Sequence, residues 1–235
     1  MERKRIVHVL DTPYTAVEWP QVSQEDQDAI LELLCRLLTP LGIYRKSSIT
    51  PSKGKRRRSR NKVKAPGSEL PAAATPAPPA PELAAHVDVG LSKISRTLQH
   101  MSAKKDGVGQ TAEDAAAPYS AVFVARSGQS PAFHCHFPQM IALAAQSQSP
   151  EKAVRLVGFS KSCEERLSAA LGIPRASSIG LREDAPQAKG LIDFVREHVA
   201  PVQVPWLDEA RSAKFLETNI DAVPTRIGNK KPRLS

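Results

Sequence analysis

Seven consecutive residues, YSAVFVA from Tyr119 to Ala125, leave no polar face on either side of an extended chain. A strand with one wetted face alternates apolar and polar residues, so this run belongs in the middle of a sheet covered on both sides. Helices must supply the cover, and the flanking sequence offers them. SGQS after the strand reads as a turn, and Pro138 takes a first-turn position in the helix QMIALAAQ. AVRLVGF is a second buried strand; KSCEERLSAAL is a helix that Ser160 and Ser162 can cap and Gly172 can close in a left-handed conformation. SSIGLR is the next strand, and PQAKGLIDFVREHV a helix with Leu191, Ile192, Val195 and Val199 apolar. Upstream, HVDV is a short strand broken by Gly90, and SKISRTLQHM sets Ile94, Leu98 and Met101 on one helical face. Strands alternating with helices in this way imply an α/β fold, a three-layer α/β/α sandwich.

Before that region the pattern changes twice. Residues 1–22 hold Pro13, Trp19 and Pro20 with few periodic apolar positions and read as an extended arm. Residues 23–44 read as a first helix: Ser23 and Asp26 form a capping box, Ile30, Leu31, Leu34, Leu37, Leu38 and Leu41 recur at helical spacing, and Pro40 and Gly42 end it. Residues 45–82 join a basic run to APGSELPAAATPAPPAPE, which offers too little apolar surface to offset the entropy of ordering. A disordered basic and Pro/Ala-rich linker is therefore expected to interrupt the fold, with the main domain at 83–200 and a C-terminal extension with a basic tail at 201–235.

The net charge of +9 is concentrated. Lys53, Lys55, Arg56, Arg57, Arg58, Arg60, Lys62 and Lys64 form an acid-free run, and subtracting those eight leaves +1 for the rest. Such a run serves as a nuclear import signal or as a salt-sensitive RNA tether, the bland alternative being a merely solvated segment. Three cysteines with no close pair fit a reducing compartment. No apolar run approaches the ~20 residues of a membrane span, so a soluble intracellular protein is expected.

The glycine-terminated strand followed by G-L-S-K-I-S-R (90–96), the AVFVA strand before a turn, the proline-started helix and LVGFSKSCEERLSAALGIPRASSIGL carry a resemblance. Over roughly residues 84–200 the chain resembles the kink-turn-binding RNA proteins, a family that includes an archaeal ribosomal protein and core proteins of small nucleolar ribonucleoproteins. Trp19 with Pro20, the V-P-W-L of residues 204–207 and the basic tail add a narrower likeness, to the third of the fungal POP subunits shared by ribonuclease P and ribonuclease MRP. That resemblance implies a noncatalytic protein in the nucleus and nucleolus that stabilises the RNA component in precursor tRNA 5′ processing and rRNA processing. Its implied partners are ribonuclease P and MRP RNA and the other protein subunits; no membrane, small-molecule substrate or cofactor is implied.

The candidate RNA contacts follow from the same text. Gly90 permits close backbone approach, the free amides at Ser92 and Lys93 can face a phosphate, and Arg96 stands one turn further on. Where kink-turn binders have Asn and Glu this chain has Ser92 and Lys93, which favours backbone contact over base readout. The family's second RNA-facing loop falls on residues 172–177, where Ile173 and Pro174 would form an apolar wall and Arg175 would add charge. The bland readings are a solvated helix face and an ordinary loop.

Trp19 and Trp206 lie outside the sandwich and are candidate contacts with partner subunits. His134, Cys135 and His136 would place two imidazoles on one face if extended, but no second ligand cluster accompanies them, and no metal is expected. Nor is there a convergent set for hydrolysis or transfer: Glu164 and Glu165 suit a helix start, and Cys163 beside them could have a lowered pKa but has no neighbouring histidine. Two rival functions remain open, a kink-turn protein of the ribosome or small nucleolar particles, and a nuclear protein-protein adaptor whose basic run is only an import signal.

Overall fold

The computed structural model describes residues 4–14, 17–48, 78–103, 117–146, 148–214 and 216–226. The basic run Lys53 to Lys64 and most of the expected Pro/Ala-rich linker lie outside the described residues. The chain divides into two compact units, residues 18–202 and a second built from both ends of the chain.

The larger unit is a mixed α/β structure. Its helices are α1 (Gln24–Ser48), α2 (Leu91–Ala103), α3 (Phe137–Ala145), α4 (Glu164–Leu171) and α5 (Lys189–His198). Its strands are β2 (Val87–Val89), β3 (Tyr119–Ala125), β4 (Arg155–Phe159) and β5 (Ser178–Arg182), ordered β2-β5-β3-β4 across one sheet. β3 is buried along its whole length, runs parallel to β4 and antiparallel to β5, and is thus the inner strand its sequence demands.

Alternate residues of the sheet feed two apolar clusters. Ala121, Phe123, Val157 and Ile179 join Ile30, Leu34, Leu38, Leu167 and Leu191 under α1, α4 and α5. Val122, Val124 and Leu156 join Ile94, Leu98, Phe137 and Ile141 under α2 and α3. Burying such side chains stabilises a fold by about 1.5–3 kcal/mol each.

Helix α1 departs from the expected boundary, since it runs through Pro40 and Gly42 to Ser48. Pro40 is on the exposed side, where the acceptor it leaves unpaired can face solvent. Gly42 is buried because α1 crosses the end of α4 there: a Cβ on Gly42 would lie 2.9 Å from the Ala170 carbonyl carbon and 3.1 Å from the Gly172 nitrogen. Half of the expected capping box forms, the Asp26 amide donating to Ser23 Oγ at 3.1 Å, while the Asp26 carboxylate accepts from the Ser23 hydroxyl at 2.6 Å. Ser160 does not cap α4: its amide and hydroxyl bind Gln27 Oε1 at 2.9 and 3.0 Å, pinning α1 to the end of β4, and the N-cap is Cys163 without a side-chain bond. Gly172 closes α4 in the left-handed region, φ 64°.

In the smaller unit the N-terminal segment is a strand, β1 (Lys4–Asp11), paired antiparallel with β6 (Asn219–Arg226) from Lys4 opposite Arg226 to Asp11 opposite Asn219. One face of this ribbon carries Ile6, Leu10 and Ile220, all exposed. A short helix, α6 (Pro205–Arg211), brings Trp206 to Tyr14, ring centroids 5.0 Å apart.

Candidate nucleic-acid interface

The two sequence-predicted RNA segments, separated by most of the domain in sequence, meet at one end of the sheet. Gly90 ends β2 with φ +98°, and its amide donates to the carbonyl of Ser178, the first residue of β5, at 2.9 Å. The 172–177 loop leads directly into Ser178, while the amide of Ala125 donates to Ser177 O at 2.8 Å. Gly90, the first turn of α2, the 172–177 loop and the ends of β3 and β4 therefore share one rim. Nothing stands within 4 Å of where a Gly90 Cβ would be, so the glycine serves its backbone conformation and leaves open space above it.

The α2 N-terminus points its first amides into that space. Gly90 O accepts from Ile94 N at 3.2 Å, whereas the amides of Leu91, Ser92 and Lys93 have no acceptor among the described residues, an arrangement suited to a phosphate. Ser92 and Arg96 are exposed, and Arg96 makes no ion pair among the described residues.

Lys93 behaves differently. Its Nζ turns back to Asp88 Oδ1 at 2.6 Å, and Asp88, only 2% exposed, also accepts from Arg182 NH2 at 2.9 Å and from the Tyr119 hydroxyl at 2.6 Å. Tyr119 in turn lies over Gly180, where a Cβ would come within 2.8 Å of its ring. Burial first, and then the bond to Asp88, push the Tyr119 hydroxyl's pKa up, so it donates at every physiological pH. The Lys93 ammonium thus already has a carboxylate partner within the fold, although its side chain stays largely exposed.

In the second segment Ile173 turns inward and packs against the core, leaving Pro174 and Arg175 exposed. Arg175 Nε stands 3.7 Å from Glu164 Oε2, and with 74% of its side chain exposed this pair is weak enough to exchange for a phosphate. Sequence reasoning missed Arg126, which leaves the end of β3 at the same rim, its amide bonded to Phe159 O at 3.1 Å.

Trp19 is not outside the sandwich. It packs half-buried against the α2/α3 cluster, edge-on to His134 with centroids 5.6 Å apart, and beneath the Arg126 guanidinium. The triplet is not extended: a 3₁₀ turn at Pro131–Phe133 runs into a turn over residues 134–136, where His134 is buried, Cys135 exposed, and His136 Nε2 meets Ser95 Oγ at 3.2 Å. Among the described residues no three His, Cys, Asp or Glu side chains come together as a metal site, and no helix is long and apolar enough to cross a membrane. Cys163 is corrected too: burial, then the Glu164 charge and Cys35, push its thiol up to about 12, the reverse of an activated thiolate.

The arrangement is that of a mixed α/β protein with helix amides that lack an acceptor among the described residues and exposed guanidinium groups at one sheet end, chemistry that suits an anionic ligand. Sequence comparison fixes the family. The family described as RNase P subunit Pop3 matches residues 75–209, more than half of the chain, and the chain belongs to that family. It is also 31% identical over 142 residues to the ribonucleases P/MRP protein subunit pop3 of Schizosaccharomyces pombe, covering 60% of this chain and 67% of that protein.

Proposed function

We propose that this chain is a noncatalytic RNA-binding subunit of ribonuclease P and ribonuclease MRP, acting in the nucleus and nucleolus. It stabilises the RNA component of those enzymes during precursor tRNA 5′ processing and rRNA processing, alongside the other protein subunits. The observation that carries the reading is the joining of Gly90 to Ser178, which turns two distant segments into one amide-and-guanidinium rim in a chain of the Pop3 family.

The fold order supports a kink-turn-binding type of domain, but one that holds backbone geometry more than it reads bases. Lys93 replaces the acceptor that base readout needs, and its own charge is occupied by Asp88. Phosphate contacts come from the α2 amides, Arg96 and Arg175, with Pro174 as the apolar wall. The basic run from Lys53 to Lys64 adds an import signal or an RNA tether. Trp206 remains a proposed contact for partner subunits.

The test is binding of the full chain to transcribed ribonuclease P RNA. Arg96→Ala and Arg175→Ala should each weaken it, and wild-type affinity in both would remove this face. Recovery of ribonuclease P and MRP RNA with the native particle is the expected result in the cell; ribosomal or small nucleolar RNA alone would favour the rival kink-turn reading.

A further inference from the structure

Arg126 is built into its place. Its guanidinium carbon lies over the Trp19 indole, 4.7 Å from the ring centroid. A Cβ on Gly158 of β4 would lie 2.7 Å from Arg126 Cδ and 2.8 Å from Trp19 Cε3, so the missing side chain gives stem and ring a common seat. His134 closes the indole edge. Arg126 itself is exposed, and no carboxylate pairs with it among the described residues.

We infer that Arg126 is a further RNA contact, its guanidinium taking a phosphodiester at the rim shared with Gly90 and Arg175, and that Trp19 is the residue that positions it. This rests on the reading that the rim meets RNA. Stacking uses the face of a guanidinium and leaves its in-plane N–H groups free, the fork that matches two phosphate oxygens. An arginine already held on a ring loses less freedom when the ligand arrives than a solvated one does. The backbone directs it to the right place: Ala125 is bonded to Ser177 and Arg126 to Phe159, one step along the rim from the Gly90 bond to Ser178. Without the indole, Arg126 would be another mobile surface cation; without Gly158 there would be no room for the pair.

The experiment uses the full chain and transcribed ribonuclease P RNA, with affinity read by fluorescence anisotropy across a salt series and each variant's fold checked by its thermal melt. Arg126→Ala should bind about tenfold more weakly, with the slope of log affinity against log salt reduced by about one. Trp19→Leu, which keeps the charge, should retain the slope and lose affinity several-fold. Arg126→Ala placed on top of Trp19→Leu should cost less than it does alone, the coupling expected of a positioned pair. Should Trp19→Leu fail to fold, Arg126→Lys carries the test, keeping the slope while losing the fork. An Arg126→Ala chain with wild-type affinity and slope, while Arg96→Ala is weakened, overturns this inference and leaves the proposed function standing; retained RNA binding with loss of a protein subunit from the particle does the same. Strictly additive losses in the double variant overturn the role of Trp19. If the wild-type chain does not bind, or Arg96 and Arg175 are both dispensable, the RNA face itself is wrong.

Discussion

Lys93 reaches back from the first turn of α2 to Asp88 at the end of β2, Nζ to Oδ1 2.6 Å, and so ties the helix that opens the rim to the strand that precedes it. The two partners are unequal: the lysine side chain is 64% exposed and the aspartate 2%.

That inequality sets the first prediction. Asp88→Ala strands the Arg182 guanidinium and the Tyr119 hydroxyl in the interior and should cost about 3–5 kcal/mol in urea unfolding. Lys93→Ala removes only the exposed partner and should cost under about 1 kcal/mol. Because its ammonium is already paired with Asp88, Lys93→Ala should also bind RNA better than Arg96→Ala; equal losses would show that Lys93 leaves Asp88 for the RNA.

Gly42→Ala should destabilise the protein although alanine is the better helix former. The helical gain is about 1 kcal/mol. The added methyl runs into the Ala170 and Gly172 backbone, and overpacking of that kind costs about 1–3 kcal/mol before any relaxation. A raised melting temperature would mean that α1 and α4 are not in contact at this point.

The thiols should separate cleanly. Cys135 is exposed and should be alkylated within minutes at pH 7.5, whereas buried Cys163 should react only as the chain unfolds, which peptide mass spectrometry resolves. The raised folded-state value has a stability consequence of definite sign. The unfolded thiol titrates near 9.0 and the folded one at about 12, so this contribution is complete below pH 9 and is lost as pH rises toward 12. Tyr119 acts in the same direction. Urea midpoints should fall from pH 9 upward, and Cys163→Ala should flatten that fall.

The acid side rests on His134 and His136. Burial depresses both, with Arg126 and then His136 adding to the effect on His134. Depressed folded values mean that the unfolded chain binds protons more readily: the contribution is present above about pH 6.5 and disappears as pH falls through the folded values. His134→Phe keeps an aromatic edge against Trp19 and removes one titration, so its urea midpoint should fall less steeply between pH 7 and 5 than that of the wild type. An unchanged profile would place the acid sensitivity elsewhere.

Legibility from sequence tracked the range of the interaction responsible. The inner strand at 119–125, the turn at Gly90 and the αL closure at Gly172 are written in local pattern and were readable. Gly42 was misread as a terminator because its meaning comes from a helix about 130 residues downstream, not from its neighbours. Ser160 looked like a cap and is bound instead to Gln27, and the partner of the Lys93 side chain, Asp88, has no local signal because the contact requires a helix to fold back on a strand. Arg126 carried no motif at all; its signal was a tryptophan and a glycine far apart in the chain that the sheet makes neighbours.

The pairing of β1 with β6 also has a consequence for how the chain is made. β1 leaves the ribosome some 215 residues before β6. At roughly 5–20 residues per second its counterpart arrives about ten to forty seconds later. Throughout that interval the backbone of β1 lacks the strand that pairs with it, an edge open to a chaperone or to aggregation, while Ile6, Val9 and Leu10 stay exposed even in the finished ribbon.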